Sequence, residues 1–238
     1  MTEPRWQSAA IPSNLSLARE RIARAAERSG RAASEIALIA VSKTFPAEAI
    51  RAAFEAGQRD FGENRVQEFE SKREKLADLP ARWRLIGHLQ SNKARRAAHL
   101  FHSVDSLDSL DLARRLDAAA QGEGKRLAVL IEVHLSAESS KTGVSESDFP
   151  ALAEAVLALP HLDLRGLMAI PPFFDDPQRA RPHFRRLRKL RDDLSRRLAR
   201  PLPALSMGMS HDFEVAIEEG SSEVRLGTAI FGQRTPRP

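Results

Sequence analysis

The sequence predicts an α/β protein built as a closed (β/α)8 TIM barrel with one extra helix at its N-terminus. The chain has 238 residues, which is close to the usual length of one such barrel. Apolar strand-like runs alternate with amphipathic helical segments along it. The glycine-rich first turn that is usual in an open, doubly wound sheet is missing. We therefore expect a single barrel domain over residues 1–238 and no second domain.

The extra helix and four strand–helix units occupy the first half of the chain. Ser13 is a favourable helix start, and Ser29-Gly30 is a favourable end. The apolar face between them comprises Leu15, Ala18, Ile22 and Ala25. Pro46 begins the helix after the first strand, which is an unbroken apolar run. The predicted strands are residues 36–42, 59–62, 83–87 and 100–104, and the helices after them are 46–57, 65–76, a segment capped by Ser91, and 109–120.

Four further units fill the second half. The fifth strand is continuous and β-branched, as expected for a strand that is covered on both faces. Gly220 ends the short helix after the seventh strand. The predicted strands are residues 127–133, 164–170, 204–207 and 223–228, and the helices are 147–159, an arginine-rich segment near 184–198, and 212–219.

The net charge of +5 and the pI of about 10.0 raise the question of nucleic acid. The densest basic run, residues 185–191, lies opposite an apolar face at helical spacing, so its arginines form a solvated face. That apolar face comprises Phe184, Leu187, Leu190, Leu194 and Leu198. No aromatic RNA-binding pattern or zinc-finger spacing is present. We expect no nucleic-acid partner.

The chain contains no cysteine, which removes disulfides and thiol chemistry and fits a reducing compartment. Its first residues lack the apolar core of a signal peptide, and no apolar run reaches the length of a membrane span. We expect a cytoplasmic protein without membrane contact.

Candidate site residues lie at the carboxyl ends of the predicted strands, where barrel enzymes carry their chemistry. Lys43 ends the first strand, and partial desolvation there would free its amine to attack a carbonyl. The alternative is a lysine that extends from the strand end into water. Asn64, after the second strand, either bonds a ligand or caps the next helix. His88, after the third, either lines the site or is structural.

The strongest local signal is near the C-terminus. The segment 206–210, which includes Met207 and Ser210, joins the seventh strand to a short helix, and Arg225-Leu-Gly-Thr228 forms the end of the eighth. Loops in these two places form the recurrent phosphate site of barrel enzymes. The charge of Asp212 opposes this reading unless its carboxylate points away. Together with Lys43, these two segments would form a site for a phosphorylated aldehyde. The aldehyde is either pyridoxal 5′-phosphate (PLP) or a phosphosugar handled by a Schiff-base aldolase.

Several motifs in one order carry a family resemblance from about residue 15 to 234. They are Ala40-Val-Ser-Lys-Thr44, Phe61-Gly-Glu-Asn-Arg-Val-Gln-Glu68, Trp83-Arg-Leu-Ile-Gly-His-Leu-Gln-Ser-Asn-Lys93, Val104-Asp-Ser106, 136–143, Gly166-Leu-Met168 and 205–232. On these motifs the chain resembles the pyridoxal phosphate homeostasis proteins (the YggS/PROSC family). These are fold-type III PLP proteins similar to the barrel of alanine racemase without its second domain.

The resemblance implies the cofactor site. Lys43 would carry PLP as a Schiff base, Arg225 would face the pyridine nitrogen, and Ser210, Gly227 and Thr228 would hold the phosphate. Asn64 and Met207 complete the predicted cofactor-binding set. An arginine opposite the ring nitrogen would keep that nitrogen unprotonated, which weakens the ring as an electron sink.

The resemblance also implies a role in PLP homeostasis instead of catalysis, with apo-PLP enzymes as recipients. We expect a monomer, with a weak dimer as the alternative. Racemases of the related fold use a tyrosine as second base, and this chain has no tyrosine. An amino-acid racemase or another fold-type III PLP enzyme is the alternative. His134 departs from the family's usual asparagine, and Lys141 matches a family lysine that could act as a second cofactor-handling amine.

Overall fold

The strands of this protein, in a computed structural model that describes residues 8–135 and 142–233, close into a parallel barrel. Each strand pairs with the next in the chain, and the last pairs with the first through Ile39 and Arg225. The predicted barrel is confirmed. Within the described residues the eight strands are β1 (Ala37–Val41), β2 (Asp60–Glu63), β3 (Arg82–Leu85), β4 (Ser103–Leu107), β5 (Leu127–Glu132), β6 (Leu162–Met168), β7 (Ala204–Met209) and β8 (Glu223–Leu226).

Helices follow the strands and cover the outside of the barrel. Their apolar faces pack with the strands into one extended core. No described helix is both long and apolar enough to cross a membrane. The helices are α1 (Ile11–Arg28), α2 (Ala47–Glu55), α3 (Val66–Arg73), α4 (Ala94–Leu100), α5 (Leu110–Gly122), α6 (Phe149–Leu157), α7 (Arg181–Arg197), α8 (Phe213–Glu218) and α9 (Thr228–Phe231).

The extra helix α1 precedes the barrel, as predicted, and packs against α8 and α9. Leu15 and Ala25 are fully buried on its inner face. Asn14 donates a side-chain hydrogen bond to the carbonyl of Ile230, 2.9 Å away. α1 therefore supports the two helices that follow β7 and β8.

The fourth strand lies three residues later than predicted. Leu100 is the last residue of α4, and β4 begins at Ser103. Asp105 and Ser106 in β4 are polar yet fully buried, because Asp105 pairs with Arg84 and Ser106 bonds a main-chain carbonyl. The polar residues of β4 hide this buried strand from an apolar sequence pattern, whereas the apolar Leu100 before it belongs to a helix.

The prediction that Ser91 caps the following helix is wrong. Ser91 begins a short 3-10 turn, Ser91–Lys93, and α4 starts at Ala94 with no side-chain cap. The arginine-rich helix α7 agrees with the sequence pattern. Phe184 and Leu187 are buried, while arginines on the other face pair with acids.

Candidate functional site

Lys43 lies directly after β1 at the carboxyl end of the barrel, the end where barrel enzymes carry their working residues. It is half-buried, between the fully buried Ser42 and the exposed Thr44. Thr44 has a φ of 67°, in the left-handed region that non-glycine residues rarely adopt. The N–H of Phe45 donates to the carbonyl of Ser42 at 3.2 Å, which closes a tight turn around Lys43 and Thr44.

A buried ion cluster lies beside this turn. Lys72 Nζ is 3.0 Å from an oxygen of Glu63, at the end of β2, and 3.0 Å from an oxygen of Glu68 on α3. Burial raises the pKa of Glu63, although Lys72 and Ser42 act against that rise. Burial also opposes ionisation of Glu68, but the Thr44 N–H and Lys72 outweigh it and lower the pKa of that carboxyl.

These three residues, which we call the Glu63–Lys72–Glu68 cluster, were not among the predicted site residues. Two signals were available in the sequence: a carboxylate at the end of an apolar strand, and Glu68 and Lys72 at the i,i+4 spacing of a helical ion pair. Neither signal showed that α3 would fold back over the turn that holds Lys43.

Main-chain donors converge on Ser210 on the neighbouring side of the mouth. The N–H groups of Gly227 and Ala229 both donate to Ser210 Oγ, each at 3.2 Å. Thr228, at the start of α9, is exposed beside them. Gly208 has a φ of 91°, and a Cβ there would lie 2.5 Å from the side chain of Ala216, so the turn into α8 requires glycine.

Pairing of β8 with β1 brings these donors next to Lys43. Ala40 and Leu226 are register partners, so the Arg225-Leu-Gly-Thr228 segment and the Val41-Ser-Lys43 segment leave the barrel side by side. Gly227 lies against Val41, where a Cβ on the glycine would be 3.5 Å from the Val41 carbonyl oxygen. A lysine and a group of N–H and hydroxyl donors therefore share one edge of the mouth.

The position of the Asp212 carboxylate lessens its conflict with an anion site in this loop. The N–H of Met209 donates to Asp212 Oδ1 at 2.7 Å, so the carboxylate folds back onto its own loop. Burial raises the pKa of Asp212, with the Met209 N–H and Arg225 acting in the opposite direction.

Arg225 is a fully buried cation in the barrel. Its guanidinium donates to Ser206 Oγ at 2.7 Å and to the Ala169 carbonyl at 2.9 Å. Burial lowers the pKa of Arg225, and nearby carboxylates, among them Asp105 and Glu132, oppose that effect. Neutral hydrogen-bond partners hold this side chain in place, and the surrounding carboxylates act on it at longer range.

Glu132, at the end of β5, is a buried acid that the sequence analysis missed. It accepts a hydrogen bond from Thr142 at 2.9 Å. Burial raises its pKa, the Thr142 hydroxyl and Arg225 lower it, and Asp108 raises it further. His88, which follows β3 at the carboxyl end of the barrel, is 3.1 Å from Asp108 and half-exposed. For Glu132, the signal available in the sequence was a carboxylate within an otherwise apolar strand.

The remaining predicted residues differ in their positions. Asn64 follows β2 and is half-buried, and it makes no side-chain hydrogen bond within the described part of the chain; the N-cap of α3 is Arg65 instead. Met207 is fully buried in the main core. His134 lies half-buried just beyond β5. Lys141 lies outside the described residues.

A cavity of about 600 Å³ lies at the opposite, amino-terminal end of the barrel. Charged side chains that line it are paired: Arg84 bonds Asp105 at 2.9 Å and Glu223 at 2.7 Å, and Arg82 bonds Asp60. Paired charges at this end serve the fold, since barrel chemistry is found at the other end. Nor does any group of three His, Asp or Glu side chains among the described residues suit a metal ion.

Comparison with known proteins gives a consistent result. The family model described as alanine racemase, N-terminal domain, matches residues 14–235. A pyridoxal phosphate homeostasis protein of Aquifex aeolicus is 46% identical over 220 residues, 92% of this chain and 96% of that protein. The protein of the same name from Pseudomonas aeruginosa is 49% identical over 226 residues, 94% of this chain and 96% of that protein.

Solved structures agree with these relatives. PipY of Synechococcus elongatus PCC7942, with PLP bound, has a TM-score of 0.80 at 39% identity, covering 89% of this chain and 100% of that one. Alanine racemase from Corynebacterium glutamicum has a TM-score of 0.74 at 17% identity, covering 96% of this chain and 62% of that one. At that identity the racemase shows a shared fold alone.

Proposed function

The chain belongs to the pyridoxal phosphate homeostasis proteins of the alanine racemase N-terminal domain family, and we propose that it holds PLP as a Schiff base on Lys43. The family matches confirm the resemblance that the sequence motifs indicated. The observation that carries the proposal is the pairing of β1 with β8, which sets Lys43 beside the donors of residues 210 and 227–229.

These residues fit a phosphorylated ligand. The N–H groups of Gly227 and Ala229 point at one acceptor position, which the Ser210 oxygen fills. A phosphate oxygen can take those N–H bonds, and the Ser210 and Thr228 hydroxyls can then donate to it. Asn64, whose amide makes no hydrogen bond to the described residues, and Met207 remain proposed members of the same site.

Arg225 favours holding the cofactor over using it. Bound PLP supplies an electrophilic carbonyl and, when its ring nitrogen is protonated, an electron sink. A buried guanidinium at that nitrogen would oppose protonation, because two adjacent positive charges repel. The chain also contains no tyrosine to act as the second base of a racemase. We therefore propose a cofactor-holding protein without enzymatic turnover, with an amino-acid racemase as the alternative.

The wider role remains a set of proposals. We propose that apo-PLP enzymes receive the cofactor, that the protein is cytoplasmic and acts as a monomer, with a weak dimer as the alternative, and that it binds no nucleic acid. Ion pairs on the arginine face of α7 support the last point, because that basic surface is already largely neutralised.

The direct test is to load the protein with PLP, reduce it with borohydride and locate the added mass by peptide mass spectrometry. We expect a visible absorption band and a single label on Lys43, both lost in Lys43→Ala while the circular dichroism spectrum is retained. Lys75→Ala, at an exposed lysine on the barrel exterior, is the matched control and should label normally. A label on another lysine would refute the assignment, and rapid exchange of the α-proton of L-alanine would favour the racemase.

A further inference from the structure

We propose that Glu68, Lys72 and Glu63 are positioning residues that hold the turn carrying Lys43 in the shape that presents its amine to the cofactor. The inference rests on the function proposed above. The hydrogen bonds of the Glu63–Lys72–Glu68 cluster reach the residues on both sides of Lys43, and they hold the turn at two separate points.

The first point is Ser42, which begins the turn. Its hydroxyl donates to Glu63 Oε1 at 2.7 Å, and its carbonyl accepts from Lys72 Nζ at 3.2 Å. The same carbonyl accepts the N–H of Phe45, which closes the turn. Side chain and main chain of Ser42 are therefore both fixed, and the direction in which Lys43 leaves β1 is fixed with them.

The second point is Thr44, whose N–H donates to Glu68 Oε1. At the third position of a turn, a positive φ is normally taken by glycine or asparagine. A β-branched residue with a φ of 67° persists there only where its surroundings hold it. Thr44 is exposed, so packing of its side chain supplies little of that support. The bond to Glu68 supplies it.

Stability alone is a weak explanation for the cluster. Glu63 is fully buried and the Lys72 side chain is 10% exposed, and such a buried pair is often no more stabilising than apolar residues of the same volume. The pair does keep Lys72 anchored, and Lys72 in turn bonds both Glu68 and the Ser42 carbonyl. The three side chains thus link β2 and α3 to the turn after β1.

Glu68→Ala is the decisive variant, because Glu68 is partly exposed and the Glu63–Lys72 pair stays intact without it. We expect PLP to bind about tenfold more weakly, with a smaller fraction of the visible band, while the unfolding temperature of the PLP-free protein changes little. Glu68→Gln should bind close to wild type, since its amide oxygen can still accept the Thr44 N–H. Glu70→Ala is the control, at a residue of α3 that pairs outward with Arg96.

The outcomes separate the two proposals. If the wild-type protein gains no label on Lys43, the proposed function itself fails. If wild type is labelled and Glu68→Ala binds PLP with wild-type affinity and spectrum, the positioning role is overturned. If Glu68→Ala also loses stability, the double variant Glu68→Ala/Thr44→Gly distinguishes loss of positioning from general destabilisation. Glycine adopts the positive φ at position 44 without support from Glu68. Recovered affinity would then uphold the positioning role, and unrecovered affinity would overturn it.

Discussion

Ser210 is a single residue that accepts the main-chain hydrogen bonds of the proposed phosphate site. Its oxygen satisfies two N–H groups that open the short helix α9. An unsatisfied N–H in a partly buried loop costs free energy, so these donors need an acceptor both with and without the cofactor. The hydroxyl can act as that acceptor and can also donate to a phosphate.

We predict that Ser210→Ala weakens PLP binding about fivefold, the effect of losing about 1 kcal/mol of hydrogen bonding. Inorganic phosphate should compete with PLP less effectively in this variant than in wild type. Fluorescence titration of PLP, with and without phosphate, measures both quantities. Ser16→Ala, on the exposed face of α1, is the control; equal affinities in the Ser210 and Ser16 variants would remove Ser210 from the phosphate site.

Residue patterns anticipated the position of Lys43 better than its surroundings. A lysine that ends an apolar strand is visible in sequence, because strand ends define the mouth of a barrel. Glu63, Lys72 and Glu132 were not found, since the sequence signals they carry do not show which partners each buried charge meets. Those partners come from elements that meet through the fold, such as Ser42 with Glu63 and Thr142 with Glu132.

At the scale of elements, periodicity identified helices and strands well where their buried faces are apolar. β5 and α7 follow their patterns closely. β4 was misplaced because it buries polar residues, and the ion pair of Asp105 with Arg84 that accompanies this burial joins residues too far apart for a local pattern to show. The extra helix α1 was predicted from Leu15 and its neighbours, but its contact with the helices after β7 and β8 required the closed barrel.

Helix α1 offers a prediction about how an outer element supports the mouth. Leu15→Ala should lower the free energy of unfolding by about 2–5 kcal/mol, because it leaves a cavity at a fully buried position. Leu17→Ala, on the same helix at a position that is 52% exposed, should change it by no more than about 0.5 kcal/mol. Urea unfolding of the PLP-free proteins measures both values. Similar losses in the two variants would contradict the orientation of α1.

Across the whole molecule, the buried arginines at the two ends of the barrel have different kinds of partner. At the amino-terminal end Arg84 bonds two carboxylates directly. At the carboxyl end, within the described residues, Arg225 bonds only neutral oxygens, while Glu132 has a hydroxyl donor and a more distant cation. Beside the directly paired Glu63–Lys72–Glu68 cluster, the mouth thus holds Arg225 and Glu132 without a directly bonded counter-ion among the described residues. Such charges are expected of a ligand site more than of a structural core.

This difference gives the molecule a predictable pH dependence. Burial raises the pKa of Glu132 in the folded state, so its favourable contribution to stability is present below its unfolded pKa of about 4.3 and is lost as pH rises through the folded value. Glu132→Gln keeps the acceptor for Thr142 and removes the charge. The variant should therefore gain stability over wild type as pH rises above about 4.3, whereas Glu154→Gln, on the exposed face of α6, should show no such trend. Urea unfolding at a series of pH values measures the difference, and a gain that shrinks towards neutral pH would show that Glu132 is stabilised in its charged form.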